Sequence, residues 1–478
     1  MKSCNCTILE SFNPSTGERI WDGKIATESE IDEIINKSKL SQIKWESTSL
    51  EERKRIILNF AQLVKENLDE AATIISQENG KPFWEAKTEV NSLVNKVQVV
   101  FDAYEERAKS KTKEMANGRI SITRYRPHGV MVVLGPFNFP MSMPNSHVMP
   151  ALYAGNSVIF KPSERTPKSA EYYLHLWRRA GLPDDVLQIV NGDFNVGRYL
   201  INSKEINGVL FIGSHKAGKA IEQDLIMQNK ICALEMGGNS PLVIWDYSDV
   251  RAAINITIQS TFISSGQRCS AARRLIVNSS IYDSFIPALC RAINEIVVGD
   301  AFQNNPTPFM GPMIDKKAVG GFMEQYNALI QQGATVLVET KILKELGENF
   351  VKPALVDVSG REVKDEEIFG PLLQVYRAEN FEQAISIANN TQYGLAAGIV
   401  TENDDIYDEF FKKIRAGIVN RNQPLTGSTT IAPFGGMKAS GNNRSAGYLS
   451  VDYCVYPCAS IESNTASVPT TLAAGLKF

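Results

Sequence analysis

The sequence predicts an α/β protein built on a doubly wound parallel sheet, joined to a second α/β domain and to an antiparallel β arm. Three observations carry this. The chain has 478 residues, more than the roughly 250 to 300 at which one hydrophobic core stops growing. From residue 128 onward, short β-rich apolar runs alternate with helix-length segments, the rhythm of parallel strands linked by helices. A polar, basic stretch, "RAKSKTKEMANG", then gives way to the alternating "RISITRY", which reads as a hairpin leaving the main body.

The elements follow in chain order. Thr27 with Glu30 and Ser49 with Glu52 fit the S/T-x-x-E start of a helix. The second of these is expected as one long helix, with Ile56, Ile57, Phe60, Leu63, Val64, Leu68, Ala71 and Ile75 on one face and "NGKP" closing it. After the hairpin at 107–126, "GVMVVLGP", "SVIFKPS", "VLQIVNG", "GVLFIGS" and "ICALEMGG" are the strands of the first sheet. From about 241 to 420 the alternation continues, with "SPLVIWD", "RRLIVNS", "GATVLV" and "AGIV" as strands of a second. No low-complexity linker or internal repeat separates the halves, so tightly joined domains are expected.

Composition narrows the function. With 43% hydrophobic and 22% charged residues and a formal net charge of -3, the chain is an ordinary globular one, and no basic excess supports nucleic-acid binding. No apolar run approaches the ~20 residues of a membrane helix, and the N-terminus lacks the apolar core of a secretory signal. The expected location is the cytoplasm, without membrane partners. Seven cysteines, an odd and scattered set, point to free thiols rather than a disulfide framework. Cys4 and Cys6 lie close together, but the chain has four histidines and none is near them, so no metal site is expected.

Four stretches have the residues for chemistry. "GSHKAGKA" at 213–220 is one substitution from a phosphate-binding P-loop, but Ala220 stands where a magnesium-binding hydroxyl is needed. It keeps a strand, Gly213, Ser214, Gly218 and a helix start, whose backbone amides suit an anionic group, or simply make a tight turn. "SSGQRCSAARR" at 264–274 sets Cys269 among small residues beside Arg268, a setting that favours a reactive thiolate; the alternative is a buried structural cysteine. In "LEMGG", Glu235 follows an apolar strand, and burial there would make it a general base unless it is ion-paired. In "LGPFNFP", Asn138 stands at a strand end, placed to donate to an oxyanion or to satisfy its turn.

The order of these stretches, with "FKPSE" at 160–164, "EEIFGP" at 366–371 and "PFGG" at 433–436, resembles the aldehyde dehydrogenase superfamily over nearly the whole chain. The resemblance implies that Cys269 attacks an aldehyde to form a thiohemiacetal, and that the Asn138 amide and the Cys269 backbone N–H hold its oxyanion. Hydride then leaves to a nicotinamide, and Glu235 activates the water that hydrolyses the thioester. It implies NAD as cofactor, with Lys161, Ser163 and Glu164 at the adenosine ribose, where a carboxylate disfavours a 2′-phosphate. Gly213, Ser214 and Gly218 are then at the pyrophosphate, with Glu367, Phe369, Pro136 and Phe137 along the nicotinamide half. Ile212 departs from the family's usual Thr. The implied division is an NAD-binding domain at 1–106 and 127–236, a catalytic domain at 237–445, and bridging segments at 107–126 and 446–478. These bridging arms make a homodimer or dimer of dimers the expected assembly.

Within that family, "KPFWEAKTEV", "YRPHGVMVVLGPFNFP", "ALEMGGNSPLVI" and "IVNRNQPLTGSTTIAPFGGMKASGNNR" look like the N-succinylglutamate 5-semialdehyde dehydrogenases of arginine breakdown. A small anionic aldehyde is the implied substrate, and Arg268, Arg421, Gly427, Ser428 and Arg444 are the candidates for its carboxylates. Arg421, Lys438, Asn443 and "SAGYLS" depart from that narrower pattern, so another small anionic semialdehyde is the alternative.

Overall fold

The computed structural model describes residues 8–427, 429–468 and 471–477. Cys4, Cys6 and Ser428 lie outside the described residues. A hairpin, β1 (Ile8–Phe12) and β2 (Arg19–Lys24), precedes four helices: α1 (Glu28–Ser47), α2 (Leu50–Glu66), α3 (Leu68–Asn79) and α4 (Phe83–Arg107). Thr27 starts α1 with a complete capping box, its hydroxyl accepting from Glu30 N and its own N–H donating to the Glu30 carboxylate. Ser49 caps α2 through Glu52 N.

The expected single helix after Ser49 is two. Asn67 breaks it, with its side-chain amide donating to the Leu63 carbonyl at 2.6 Å, a short polar side chain competing for the helix's own acceptor. Gly80, at φ 78°, closes α3 in the left-handed conformation.

The hairpin after α4 forms as β3 (Lys111–Glu114) and β4 (Ile120–Pro127). Both then belong to a three-stranded antiparallel sheet, because the C-terminal β19 (Val455–Glu462) pairs with the other edge of β4. Between them lies the first α/β layer: β5 (Val130–Leu134), α5 (Ser142–Ala154), β6 (Ser157–Lys161), α6 (Pro167–Arg179), β7 (Leu187–Ile189), α7 (Phe194–Asn202), β8 (Gly208–Gly213), α8 (His215–Leu225) and β9 (Ile231–Met236). The five strands are parallel, in the order β7-β6-β5-β8-β9. Successive residues serve opposite faces, so a sheet covered on both sides reads as unbroken apolar runs. Met131 and Val133 join the core under α2 to α6, while Val130, Val132 and Leu134 join the core on the side of α1, α7 and α8.

A second, seven-stranded sheet is built from β10 (Ser240–Ile244), β11 (Ala272–Asn278), β12 (Thr335–Val338), β13 (Ala354–Asp357), β14 (Leu372–Ala378), β15 (Ala396–Val400) and β16 (Ile418–Arg421), in the order β12-β13-β14-β11-β10-β15-β16. Only β12 runs antiparallel to its neighbour. Helices α9 (Val250–Thr261), α10 (Ser279–Asn294), α11 (Lys316–Gln331), α12 (Phe381–Asn389) and α13 (Asp404–Lys413) cover it. A small antiparallel pair, β17 (Pro433–Phe434) and β18 (Ala446–Gly447), precedes β19. No helix among the described residues is long and apolar enough to cross a membrane. Cys232, Cys269, Cys290, Cys454 and Cys458 are free thiols.

Candidate active site

The strand order of the first sheet reverses at β5: β6 and β7 lie on one side, β8 and β9 on the other. Such a switch point leaves a crevice beyond the carboxyl ends of the strands. A cavity of about 770 Å³ lies there and continues to the loop before β11. Pro136, Phe137 and Asn138 reach it from the end of β5, Lys161, Ser163 and Glu164 from the end of β6, Gly213 and Ser214 from the end of β8, and Glu235 from β9. Arg268, Cys269, Glu367 and Phe369 line it from the second half of the chain. Residues scattered over more than two hundred positions therefore share one wall.

"GSHKAGKA" is the turn from β8 into α8. Ser214 caps that helix, its hydroxyl accepting from Ala217 N, and Lys219 is exposed on it. A Cβ at Gly213 would lie 2.5 Å from the Phe211 ring, so glycine keeps the backbone open to the cavity. Gly218 does not border the cavity. It lets α8 sit against β9, where a Cβ would meet the Met236 sulfur at 2.4 Å. Open backbone amides at a helix start, an amine and carboxylate at Lys161 and Glu164, and an aromatic pair at Phe137 and Phe369, ring centroids 5.9 Å apart, together fit an elongated dinucleotide.

The Cys269 loop is bent by strained backbone. Ser264, Ser265 and Gly266 all take positive φ, at 55°, 54° and 68°, a conformation that costs a non-glycine residue roughly 1 kcal/mol or more. Buried partners hold it: Ser264 Oγ donates to Glu85, and Ser265 Oγ to the Gly311 carbonyl at 2.7 Å. Arg273, fully buried, ties the loop from within by donating to the carbonyls of Gly266 (2.6 Å), Arg268 (3.0 Å) and Gly370 (3.0 Å).

Asn138 is fixed on the other side. Its carbonyl accepts from Lys81 Nζ at 2.7 Å, and its side-chain amide donates to the Gln267 carbonyl at 2.8 Å. An amide carries two N–H groups, so one remains for a substrate oxygen.

Electrostatics set the resting state. Burial, then the carboxyl groups of Glu367 and Glu235, push the Cys269 thiol up to about 12. The expectation that Arg268 favours the thiolate is not met, because its guanidinium pairs with the buried Glu85 at 2.8 Å instead of facing the sulfur. Burial also raises Glu235 well above the usual carboxylate range, against one hydrogen bond from Ala446 N at 3.1 Å; its Oε2 has no partner. Glu367, buried and facing Arg273 and Gly238 N, is pushed up to about 7.

Three expected substrate residues lie off the cavity. Arg421 donates to Asp404 at 2.6 Å and to the Thr401 carbonyl at 3.2 Å, with its guanidinium over the Tyr407 ring; a nearby acid holds it at the rim of the second sheet. Gly427 and Arg444 are exposed and do not line the wall, which Thr426 and Thr430 line instead. Sequence reasoning missed Lys81, Glu85, Glu89, Lys96, Phe139 and Arg273. The four-residue spacing of Glu85 and Glu89 in "KPFWEAKTEV" was a usable signal, since it places two carboxylates on one helix face.

A thiol, an amide donor and a buried carboxyl thus line one α/β crevice that fits an elongated dinucleotide. The chain belongs to the aldehyde dehydrogenase family, whose model matches residues 1–457. Solved structures agree. A protein of Sinorhizobium meliloti 1021 assigned provisionally as a methylmalonate-semialdehyde dehydrogenase, complexed with NAD, is similar at TM-score 0.92 and 27% identity, over 97% of this chain and 96% of that one. The succinate-semialdehyde dehydrogenase of Burkholderia pseudomallei matches at 0.89 and 29%, over 95% and 94%. An NADP-dependent enzyme of E. coli matches at 0.90 and 28%, over 95% of each chain.

Proposed function

We propose that this aldehyde dehydrogenase oxidises a small anionic semialdehyde with NAD, and that N-succinylglutamate 5-semialdehyde is the substrate its sequence favours. The observation that carries the reading is the meeting of Cys269, the free N–H of Asn138 and the unpartnered Glu235 Oε2 in one cavity. Semialdehyde dehydrogenases among the similar structures support the substrate class. Glu164 at the end of β6 supports NAD over NADP, since a carboxylate repels a 2′-phosphate. The division into segments 1–106 with 127–236, 237–445, and 107–126 with 446–478 belongs to this reading.

The chain's own groups divide the work. Cys269 must lose its proton before its sulfur bonds to the aldehyde carbon, and the carbonyl oxygen gains the charge that Asn138 and the Cys269 N–H receive. As the carbonyl re-forms, this carbon loses its hydrogen as hydride and becomes that of a thioester; a nicotinamide, when bound, would supply the acceptor. Water then adds to the thioester carbon while Glu235 takes its proton; a carboxylate whose pKa burial has raised is the stronger base for this. Cleavage of the carbon–sulfur bond returns Cys269 and releases the acid. Phe137 and Phe369 cover the reacting end, and Lys161 and Glu164 hold the other.

The test is NADH formation from N-succinylglutamate semialdehyde, with Cys269→Ala as the control. The variant is expected to keep its circular dichroism and NAD binding and lose turnover by at least about four orders of magnitude. Turnover retained in Cys269→Ala would sink the mechanism. Faster turnover of a different anionic semialdehyde would move the substrate to the alternative.

A further inference from the structure

The aldehyde side of the cavity is walled by α4, the turn after β5 and the Cys269 loop, and its charges do not balance. Two carboxylates there are engaged with cations: Glu89 pairs with Lys81 at 2.7 Å and Glu85 with Arg268 at 2.8 Å. Glu89 also accepts from the N–H groups of Met141 and Ser142, at 3.1 and 3.2 Å. Lys96 is the third cation. It lines the cavity, and its Nζ donates to the Ser142 carbonyl at 2.8 Å. An ammonium has three N–H donors, and Lys96 has no ion-pair partner among the described residues.

Its neighbours leave that charge uncompensated. His147, whose ionisation Lys96 opposes, is buried and held down to about 3, so it is neutral. Glu89 favours the Lys96 ammonium from one side, yet burial outweighs it and lowers the lysine to about 8. The group is thus charged at neutral pH, in a setting where an unpaired cation is costly. A ligand carboxylate would supply the missing acceptors and offset the excess charge.

Position gives the geometry of the ligand. Glu85, Glu89, Ser92 and Lys96 form one stripe of α4 facing the cavity, and eleven residues of helix rise about 16 Å. Glu85 pairs with Arg268, the neighbour of Cys269, and Lys96 stands about three helical turns along α4 from it. We infer that Lys96 is a specificity-determining residue that binds the remote carboxylate of an extended anionic aldehyde whose carbonyl lies at Cys269.

This rests on the reading of the site as a semialdehyde dehydrogenase. The experiment compares kcat/KM for N-succinylglutamate semialdehyde and for propanal, which has the aldehyde and no charge, in wild type, Lys96→Met and Lys96→Arg. Loss of a charge-assisted hydrogen bond is expected to lower kcat/KM for the anionic aldehyde about ten- to a hundredfold in Lys96→Met, chiefly through KM. Propanal should change less than about twofold, reporting an intact fold and thiol, and Lys96→Arg should restore most of the preference. A preference that survives in Lys96→Met overturns the inference and leaves the substrate reading standing. A wild type that shows no preference for the anionic aldehyde overturns both. Equal loss on both aldehydes makes the lysine structural and also overturns it.

Discussion

At the scale of single residues, Cys269 is held as a thiol by the same burial that shapes its pocket. Because the thiol is pushed up to about 12, its thiolate fraction grows about tenfold per pH unit below that value. Alkylation by iodoacetamide in the cofactor-free enzyme should therefore rise about tenfold per unit from pH 7 to 9, with no plateau. Glu367→Gln removes the largest charge acting against the thiolate, and should speed alkylation severalfold at pH 8.5. Glu367 itself is pushed up to about 7, so the wild-type residue is mostly neutral at pH 6 and the variant should match wild type there. A plateau below pH 8 would show that another group ionises the sulfur. Asn138, Glu235 and Cys269 were legible in the sequence because each stands at a strand end or in a small-residue loop. Arg421 was not, because its partner Asp404 lies seventeen positions earlier, and no local pattern reveals such a pairing.

At the scale of elements, legibility followed how purely each segment is packed. Strands β5 and β6 could be read because every residue in them is buried, giving nearly continuous apolar runs, whereas the edge strands β7 and β9 are only partly buried and showed through their place in the α/β alternation. Strand β14 escaped notice although it is central: Gln374, buried within "LLQVYRA", interrupts the run. The break between α2 and α3 was hidden because the apolar stripe continues across Asn67. Helix α6 shows a tertiary cap that local sequence cannot announce. Its N-cap Thr166 makes no side-chain bond, and Glu78 from α3 accepts instead from Lys168 N at 2.8 Å and Ser169 N at 2.7 Å. Glu78→Ala leaves two N–H groups of a packed helix start unpaired, and should cost about 1 to 3 kcal/mol per lost partner. The urea midpoint should fall, and fall less in Glu78→Gln, which keeps one acceptor. An unchanged midpoint in Glu78→Ala would show that water replaces the carboxylate.

At the scale of the whole molecule, the three-stranded sheet stands out as an element with too little core of its own. Strand β4 joins β3, from the hairpin after α4, to β19, near the C-terminal end of the chain, and Arg124 pairs with Glu462 across that seam. Segments over three hundred residues apart thus meet in a layer whose outer strand leaves Tyr456 41% and Ile461 64% exposed. An open edge with exposed apolar side chains is a template for a second chain. A self-complementary assembly about a two-fold axis is the common outcome for such a surface. The chain, 52.9 kDa by mass, is therefore expected to sediment at twice or four times that value at micromolar concentration. Replacing Tyr456 and Ile461 with Glu should shift it toward the monomer, because two charges buried opposite their symmetry mates would be opposed by both desolvation and repulsion. Cys269 alkylation should be unchanged in that variant, since neither position borders the cavity. Sedimentation of wild type as a monomer, or of the double variant unchanged from wild type, would remove this sheet as the assembly surface.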